Sequence, residues 1–422
     1  MKIFHLNTCG GKGGAARAAY RVHAALNREG HDSTMLVLCH GANLSKVQTF
    51  QPPDDLYRRW RRFFRQKQLR LAFRRYRATR PAGSEYFSDD RSACGPDLLA
   101  QMPRAEVVHL HWVAGLVDYQ SILRPASQRA PLVWGLYDMN PFTGGCHYDN
   151  GCGKYLKGCG SCPQLGSHDD NDLSHQIWKR KREAFKSIPP HRLHIVAHNR
   201  WMADKVASSP LMGDFPLTII PSGLDLDDFS PRDPHFARQV LGLPRDAKVI
   251  LFVADSVDNR RKGFTYLEQA LAGLKHLPDL CLASVGWGKS TITNGLSHLH
   301  LGRIDNDRLL SLIYSAADLF AIPSLEDNLP NTVLESLACG TPVVGFHAGG
   351  ISEMVRPGIT GLLAPVGDSE ALRAAILELL ENPAKRQEMA ANCRRLALEE
   401  YSLEVMGRNY SQLYQRIVAE GP

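Results

Sequence analysis

Short apolar runs of strand length alternate with helix-length stretches along most of the chain, the pattern of parallel sheets joined by helical crossovers. Two such series are visible. The first starts with Lys2–Leu6, continues through Thr34–Leu38, Val107–Trp112 and Leu132–Leu136, and closes near His194–Ala197. The second runs through Val249–Ala254, Leu280–Val285, Leu319–Ile322, Pro342–Phe346 and Gly361–Ala364. Between them Pro221–Pro234, rich in Pro, Asp, Ser and Gly, reads as an interdomain linker, and past Asp368 the pattern is helical. No internal repeat is visible. The expectation is an α/β chain of two Rossmann-like parallel-sheet domains, residues 1–220 and 221–401, facing across a cleft, with a last helix over 402–422 crossing back to the first domain. Ligands of such sheets bind beyond the carboxyl ends of the strands, so functional residues should lie just after strands.

Composition changes this picture little. At 422 residues, 44% hydrophobic and 22% charged, the chain is globular in character and long enough for two or three domains. Met1–Leu6 runs straight into a strand and a glycine loop without a basic-then-apolar leader, and no apolar run reaches the roughly 18 residues that span a bilayer. The expected location is cytoplasmic, peripheral at the inner face of the plasma membrane if it touches one. There the ten cysteines should be free, catalytic or metal-bound. Charge is more informative. Arg58–Arg80 holds eleven Arg or Lys and no acid, more than the whole net charge of +7, so the remainder is net acidic. The basic character therefore belongs to one segment and predicts no nucleic-acid partner.

After Leu319–Ile322 comes Pro-Ser-Leu-Glu-Asp-Asn-Leu-Pro-Asn-Thr-Val-Leu-Glu-Ser-Leu-Ala-Cys-Gly-Thr-Pro, residues 323–342, a loop feeding a helix. Pro330 suits the first helical turn, whose N–H groups and dipole attract phosphate. Val333, Leu334, Leu337 and Ala338 make one apolar face, while Asn331 and Glu335 share another, which should turn Glu335 toward the cleft. A carboxylate there can accept both hydroxyls of a ribose.

Asp327, seven intervening residues, then Glu335 and Ala-Cys-Gly-Thr-Pro-Val-Val resemble the family 4 retaining glycosyltransferases, whose usual motif has Glu at both acidic positions. The resemblance implies a GT-B arrangement with donor in the second domain and acceptor in the first. It implies that Asn328 and Leu329 amides touch the donor phosphates, that Lys262 in Arg-Arg-Lys-Gly-Phe neutralises them, and that Asp327 meets a sugar hydroxyl. Family members often carry an Arg six residues before that Lys, where this chain has Ser256. Arg260 or Arg261 can substitute. Gly13 and Gly14, in Cys9-Gly-Gly-Lys-Gly-Gly-Ala-Ala-Arg17, match the Gly-Gly that reaches toward the donor phosphates, and a plain structural turn is the alternative. Many members carry a His near the transferred sugar where this chain has Tyr137, a phenol that cannot serve as an imidazole would. His111 and Asp138 are neighbouring candidates for holding sugar or acceptor, or are satisfied structural residues.

The activity implied is retaining transfer of a hexose from a nucleotide diphosphate sugar to a glycan or lipid-linked acceptor, with no cofactor required for catalysis. The donor diphosphate can itself take the acceptor proton. An epimerase of the same fold and a binding protein that has lost turnover are the rival readings.

Two segments add chemistry. Cys146, Cys152, Cys159 and Cys162 fall within a glycine-rich insertion over 143–165 beside His147. Four thiolates suit a structural zinc, reduced thiols are a second reading, and disulfide or redox chemistry a third. Similar Gly-Gly-Cys-His and Cys-x-x-Cys-Pro insertions occur in family 4 enzymes of bacterial exopolysaccharide synthesis. The other segment, 56–80, interleaves Trp60, Phe63, Phe64, Leu69, Leu71, Phe73 and Tyr76 with its arginines, an amphipathic basic helix suited to anionic lipid or packed on its own domain.

Overall fold

The computed structural model describes residues 1–11, 13–39, 44–288 and 296–420. The chain divides into two compact units, Met1–Ile220 with Met406–Pro422, and Pro221–Val405.

The first unit is built on seven strands, β1 (Lys2–Cys9), β2 (Asp32–Cys39), β3 (Val47–Thr49), β4 (Val107–Leu110), β5 (Leu132–Leu136), β6 (Leu193–Ala197) and β7 (Leu217–Ile219). They pair in the order β3-β2-β1-β4-β5-β6-β7 and every pairing is parallel. The second unit has six, β8 (Lys248–Ser256), β9 (Leu280–Trp287), β10 (Ser297–His300), β11 (Leu319–Ile322), β12 (Val343–Phe346) and β13 (Gly361–Ala364), in the order β10-β9-β8-β11-β12-β13, again parallel. All residues of β4, β5, β11 and β12 are buried. Helices cover both faces of a parallel sheet, so its central strands read as near-continuous apolar runs. Of the four edge strands, β3, β7 and β10 have no buried residue, carry Gln48, Thr218 and His298, and left no such run to read.

Pro221–Pro234 is not a free linker. It belongs to the second unit, where Phe229 is fully buried in the core and the Leu224 amide donates to the carbonyl of Tyr401. The last helix, Leu403–Ala419, begins in the second unit and from Met406 packs within the first. There Tyr414 and Tyr410 are buried, and a Cβ at Gly407 would stand 3.3 Å from that of Ala25 in helix α1 (Gly14–Arg28). Helix α2 (Leu56–Arg74) has no buried residue. Among the described residues no helix is long and apolar enough to cross a membrane.

Candidate functional site

In the second unit the chain leaves β8, makes a tight turn over Arg260–Lys262 and meets the loop that follows β11. Gly263 has φ +71, and a Cβ there would stand 1.8 Å from the carbonyl oxygen of Pro323. On the other side Gly349 has φ +51, and its Cβ would stand 2.0 Å from the carbonyl oxygen of Asp327, which accepts the Gly350 amide at 2.9 Å. Only glycine fits either position, so the Pro323–Pro330 loop is clamped between two backbones. The Leu325 amide also donates to the Arg261 carbonyl at 2.8 Å.

This clamp delivers Asp327 to Lys262 and Arg261. The Lys262 ammonium lies 2.6 Å from Oδ2 of Asp327 and the Arg261 guanidinium 3.3 Å from the same oxygen. Arg261 also donates to the Glu326 carbonyl at 2.7 Å. Arg260 is exposed and stays outside the group, so of the two candidate substitutes the structure brings Arg261. Burial pushes the Asp327 carboxyl up, but the Lys262 and Arg261 charges outweigh it and hold the group ionised below its ordinary range. Asn328 is buried beside it and Leu329 packs on the core.

The helix Asn331–Ala338 starts one residue later than read, with Pro330 as the residue before its first turn. It is short and has no side-chain cap, leaving its first amides to the loop side. Val333, Leu334, Leu337 and Ala338 are fully buried, as their spacing predicts. Glu335 is only 3% exposed, and its Oε2 accepts the Tyr314 hydroxyl at 3.1 Å. Tyr314, which sequence reasoning missed, is itself fully buried and holds the carboxylate in place. Ser256 ends β8 and accepts the Asp258 amide at 3.3 Å, a turn-closing role.

In the first unit β1 ends in the glycine loop. Gly13 has φ +88 with open space where a Cβ would stand, and it precedes α1, which no side chain caps. Gly14 opens that helix, and Lys12 lies outside the described residues. Beside this loop a layer of aromatic polar groups lies on one face of the sheet. His5 and His109 are register partners in β1 and β4, and His111 follows β4. His111 shares hydrogen bonds with His5 at 2.8 Å and with the Tyr137 hydroxyl at 3.0 Å, and His109 shares one with the Tyr414 hydroxyl at 2.6 Å. Gly135 makes room, since a Cβ there would lie 3.1 Å from His109 Nε2. Burial holds His5, His109 and His111 well below the ordinary imidazole range and Tyr137 well above the ordinary phenol range, so the layer is neutral. Tyr137 and His111 thus form one hydrogen-bonded pair.

Asp138 is differently placed. Its carboxylate accepts Trp112 Nε1 at 2.7 Å, the Asn140 amide at 2.8 Å and His147 Nδ1 at 2.6 Å, and His147 Nε2 reaches the Ser88 hydroxyl at 2.8 Å. These partners pin the cysteine-bearing insertion to the sheet. Burial raises the Asp138 pKa, but His147 and the other donors more than offset this and keep it low. Asp138 is therefore a fastening group here, and a free base is not what the geometry offers.

The four insertion cysteines are free thiols lining one small cavity. A tetrahedral zinc needs sulfurs about 3.8 Å apart at Zn–S bonds of about 2.3 Å. Among the described residues the only group of three or more metal-capable side chains with ligand atoms within 4.8 Å of one another is His5, His109 and His111. The thiols as arranged do not fit a closed zinc site, and burial holds Cys146, Cys159 and Cys162 above the ordinary thiol range.

Residues 247–382 match the family model described as Glycosyl transferases group 1. The chain is 33% identical over 201 residues to a D-inositol 3-phosphate glycosyltransferase of Thermobispora bispora, covering 43% of this chain and 46% of that protein. The chain spans about half the length of the curated relatives it matches. Over the whole chain it is similar in structure to sucrose-phosphate synthase of Thermosynechococcus elongatus, with a TM-score of 0.69 at 19% identity over 99% of both chains. It is also similar to HepE of Anabaena in complex with UDP-glucose, with a TM-score of 0.64 at 18% identity, covering 99% of this chain and 100% of that one. With its two parallel-sheet units the chain has the GT-B fold.

Proposed function

We propose that the protein is a retaining glycosyltransferase of family 4 that moves a hexose from a nucleotide diphosphate sugar to a glycan or lipid-linked acceptor in polysaccharide synthesis. The observation that carries this reading is the group of buried Asp327 with the partly exposed Lys262 and Arg261 at the carboxyl ends of β8 and β11, the position where open parallel sheets bind ligands. Two cations set by a rigid turn suit a departing diphosphate, because they offset the charge that grows on it as the glycosidic bond breaks. In the resting protein Asp327 supplies their counter-charge, and with donor bound it takes a sugar hydroxyl. Glu335, fixed by Tyr314, is the ribose acceptor. The group 1 domain over 247–382 and the UDP-glucose held by HepE support a nucleotide-sugar donor.

In the first unit the neutral Tyr137–His111 pair faces the sugar or acceptor, and the Gly13–Gly14 turn admits a phosphate to the start of α1. No metal enters the proposed step. The acceptor oxygen attacks the anomeric carbon on the face the diphosphate leaves, its proton passes to the diphosphate, and the anomeric configuration is kept.

A thermal-shift panel of nucleotide sugars identifies the donor, which should raise Tm by mass action. Anomeric coupling constants of the product then decide stereochemistry. Stabilisation by no sugar nucleotide, or an inverted product, would overturn the reading. An altered free sugar nucleotide without transfer would instead indicate an epimerase.

A further inference from the structure

Helix α2 is inside out. At 100° per residue Arg58, Arg62, Arg65 and Leu69 fall on one side and Leu56, Trp60, Phe63, Phe64, Lys67 and Leu71 on the other. The structure turns the arginine side inward. Arg58 and Arg62 lie 3.7 and 3.8 Å from the carboxylate of buried Asp97, joined by Arg61, and Arg65 lies 3.5 Å from that of Asp118. Further along, Ala72, Phe73 and Tyr76 anchor the segment on a small apolar cluster with Leu165 and Ile177. The apolar stripe is left in water, with Leu56 80%, Trp60 67%, Phe63 60% and Leu71 51% exposed. Isolated exposed apolar residues need no explanation, but a contiguous aromatic stripe on one helix does.

The cations that are not used inward surround this stripe. Among the described residues no carboxylate pairs with Lys67, Arg70, Arg74 or Arg77. Arg70, Arg74, Arg77 and Arg80 line, with Leu69 and Phe73, an open cavity of about 770 Å³ at the end of the helix. Arg80 is steadied by donating to the Glu85 carbonyl. An occupant must therefore be apolar against the stripe and anionic a turn further on. Aromatic side chains beside cations are the pattern that enters the headgroup region of a bilayer, and a guanidinium cluster is matched to phosphate.

We propose that this face of the first unit docks on an anionic phospholipid bilayer, the stripe entering the headgroup boundary and the arginine cavity receiving lipid phosphate. Attachment then brings the chain to the surface where a lipid-linked acceptor resides. The proposal stands apart from the donor reading, which would survive its failure.

The test is flotation of the full chain with vesicles of phosphatidylcholine alone or mixed with phosphatidylglycerol. Flotation is expected only with the anionic vesicles, and high salt should reverse it because the Debye length shrinks. Trp60→Ser with Phe63→Ser, and separately Arg70→Glu with Arg74→Glu, should each lower partitioning by about tenfold or more, at unchanged circular dichroism and Tm. A blue shift of tryptophan emission on anionic vesicles should be lost in Trp60→Phe. No flotation by the wild type, or flotation that survives both double variants, overturns the proposal. So does self-association abolished by the serine pair, which would assign the stripe to a second copy, or duplex DNA binding that vesicles fail to compete.

Discussion

Replacing Asp327 by Asn separates the two duties proposed for it, because Asn keeps the shape and removes the charge. In the resting protein Oδ2 of Asp327 is 2.6 Å from the Lys262 ammonium and 3.3 Å from the Arg261 guanidinium, with the carboxylate buried. Breaking a buried ion pair from one side costs about 3–5 kcal/mol. Lys262 and Arg261 keep 18% and 12% of their side-chain surface in water, so the loss here should be about 2 kcal/mol. For a unit of this size that lowers Tm by about 4–8 °C. With sugar bound, loss of a charged hydrogen bond worth about 1.5–3 kcal/mol lowers kcat/KM by about 10- to 100-fold. The free nucleoside diphosphate should behave oppositely, since Lys262 and Arg261 no longer share their charge with a carboxylate, and its affinity should hold or rise. Calorimetry with the diphosphate, thermal unfolding and initial rates on one preparation test all three. Diphosphate affinity that collapses together with turnover in a folded variant would refute the division of labour, as would wild-type turnover.

Glu335→Gln should weaken nucleotide-sugar binding about tenfold with little change in Tm, because Gln still accepts from Tyr314. Donor affinity equal to wild type by calorimetry would leave Glu335 a core residue only. Lys181 is fully buried, donates to the carbonyls of Asn140 and Thr143, and is pushed by burial from 10.5 down to about 8. Between those values the unfolded chain holds a proton that the native state does not, so stability from this group rises with pH. Unfolding of wild type against Lys181→Met from pH 8 to pH 10.5 should shift in favour of wild type, and a gap that stays constant or closes would count against a depressed pKa. The cysteine insertion should carry less than one zinc per chain after reducing, chelator-free purification, with Tm indifferent to chelators. Stoichiometric zinc would show that the thiols rearrange around a metal.

What the sequence disclosed and what it hid follow from where information resides along a chain. β4, β5, β11 and β12 are buried throughout, so burial wrote runs, apolar but for His109, that periodicity can read. β3, β7 and β10 sit at sheet edges, where half-exposed Thr and His carry no such mark. Asp327, Lys262 and Glu335 were legible through motif spacing, and their placement just after strands follows from topology. Arg261 was legible only as one of two substitutes, and the turns fixed at Gly263 and Gly349 bring it to Asp327; Tyr314 reaches Glu335 from a separate helix, a contact that leaves no periodic signal. The same limit explains α2. Its basic and aromatic composition was plain, but the direction it faces depends on Asp97 and Asp118, acids outside the segment. Asp138 read equally as a holder of sugar or acceptor and as a satisfied structural residue, and the positions of Trp112 and His147 show its fastening role.

The last helix has a consequence for how the protein is made. Its residues from Met406 onward complete the first unit, where Tyr414 closes on His109 and Ser411 on His31. A ribosome releases residues 1–220 long before it releases these, so the earliest unit synthesised is the last to be finished. Until those residues emerge, its buried imidazole layer lacks a covering side, and incomplete domains of this kind expose apolar surface that favours aggregation. The second unit interrupts the first in sequence and can fold ahead of it, which reverses the usual order of synthesis and completion.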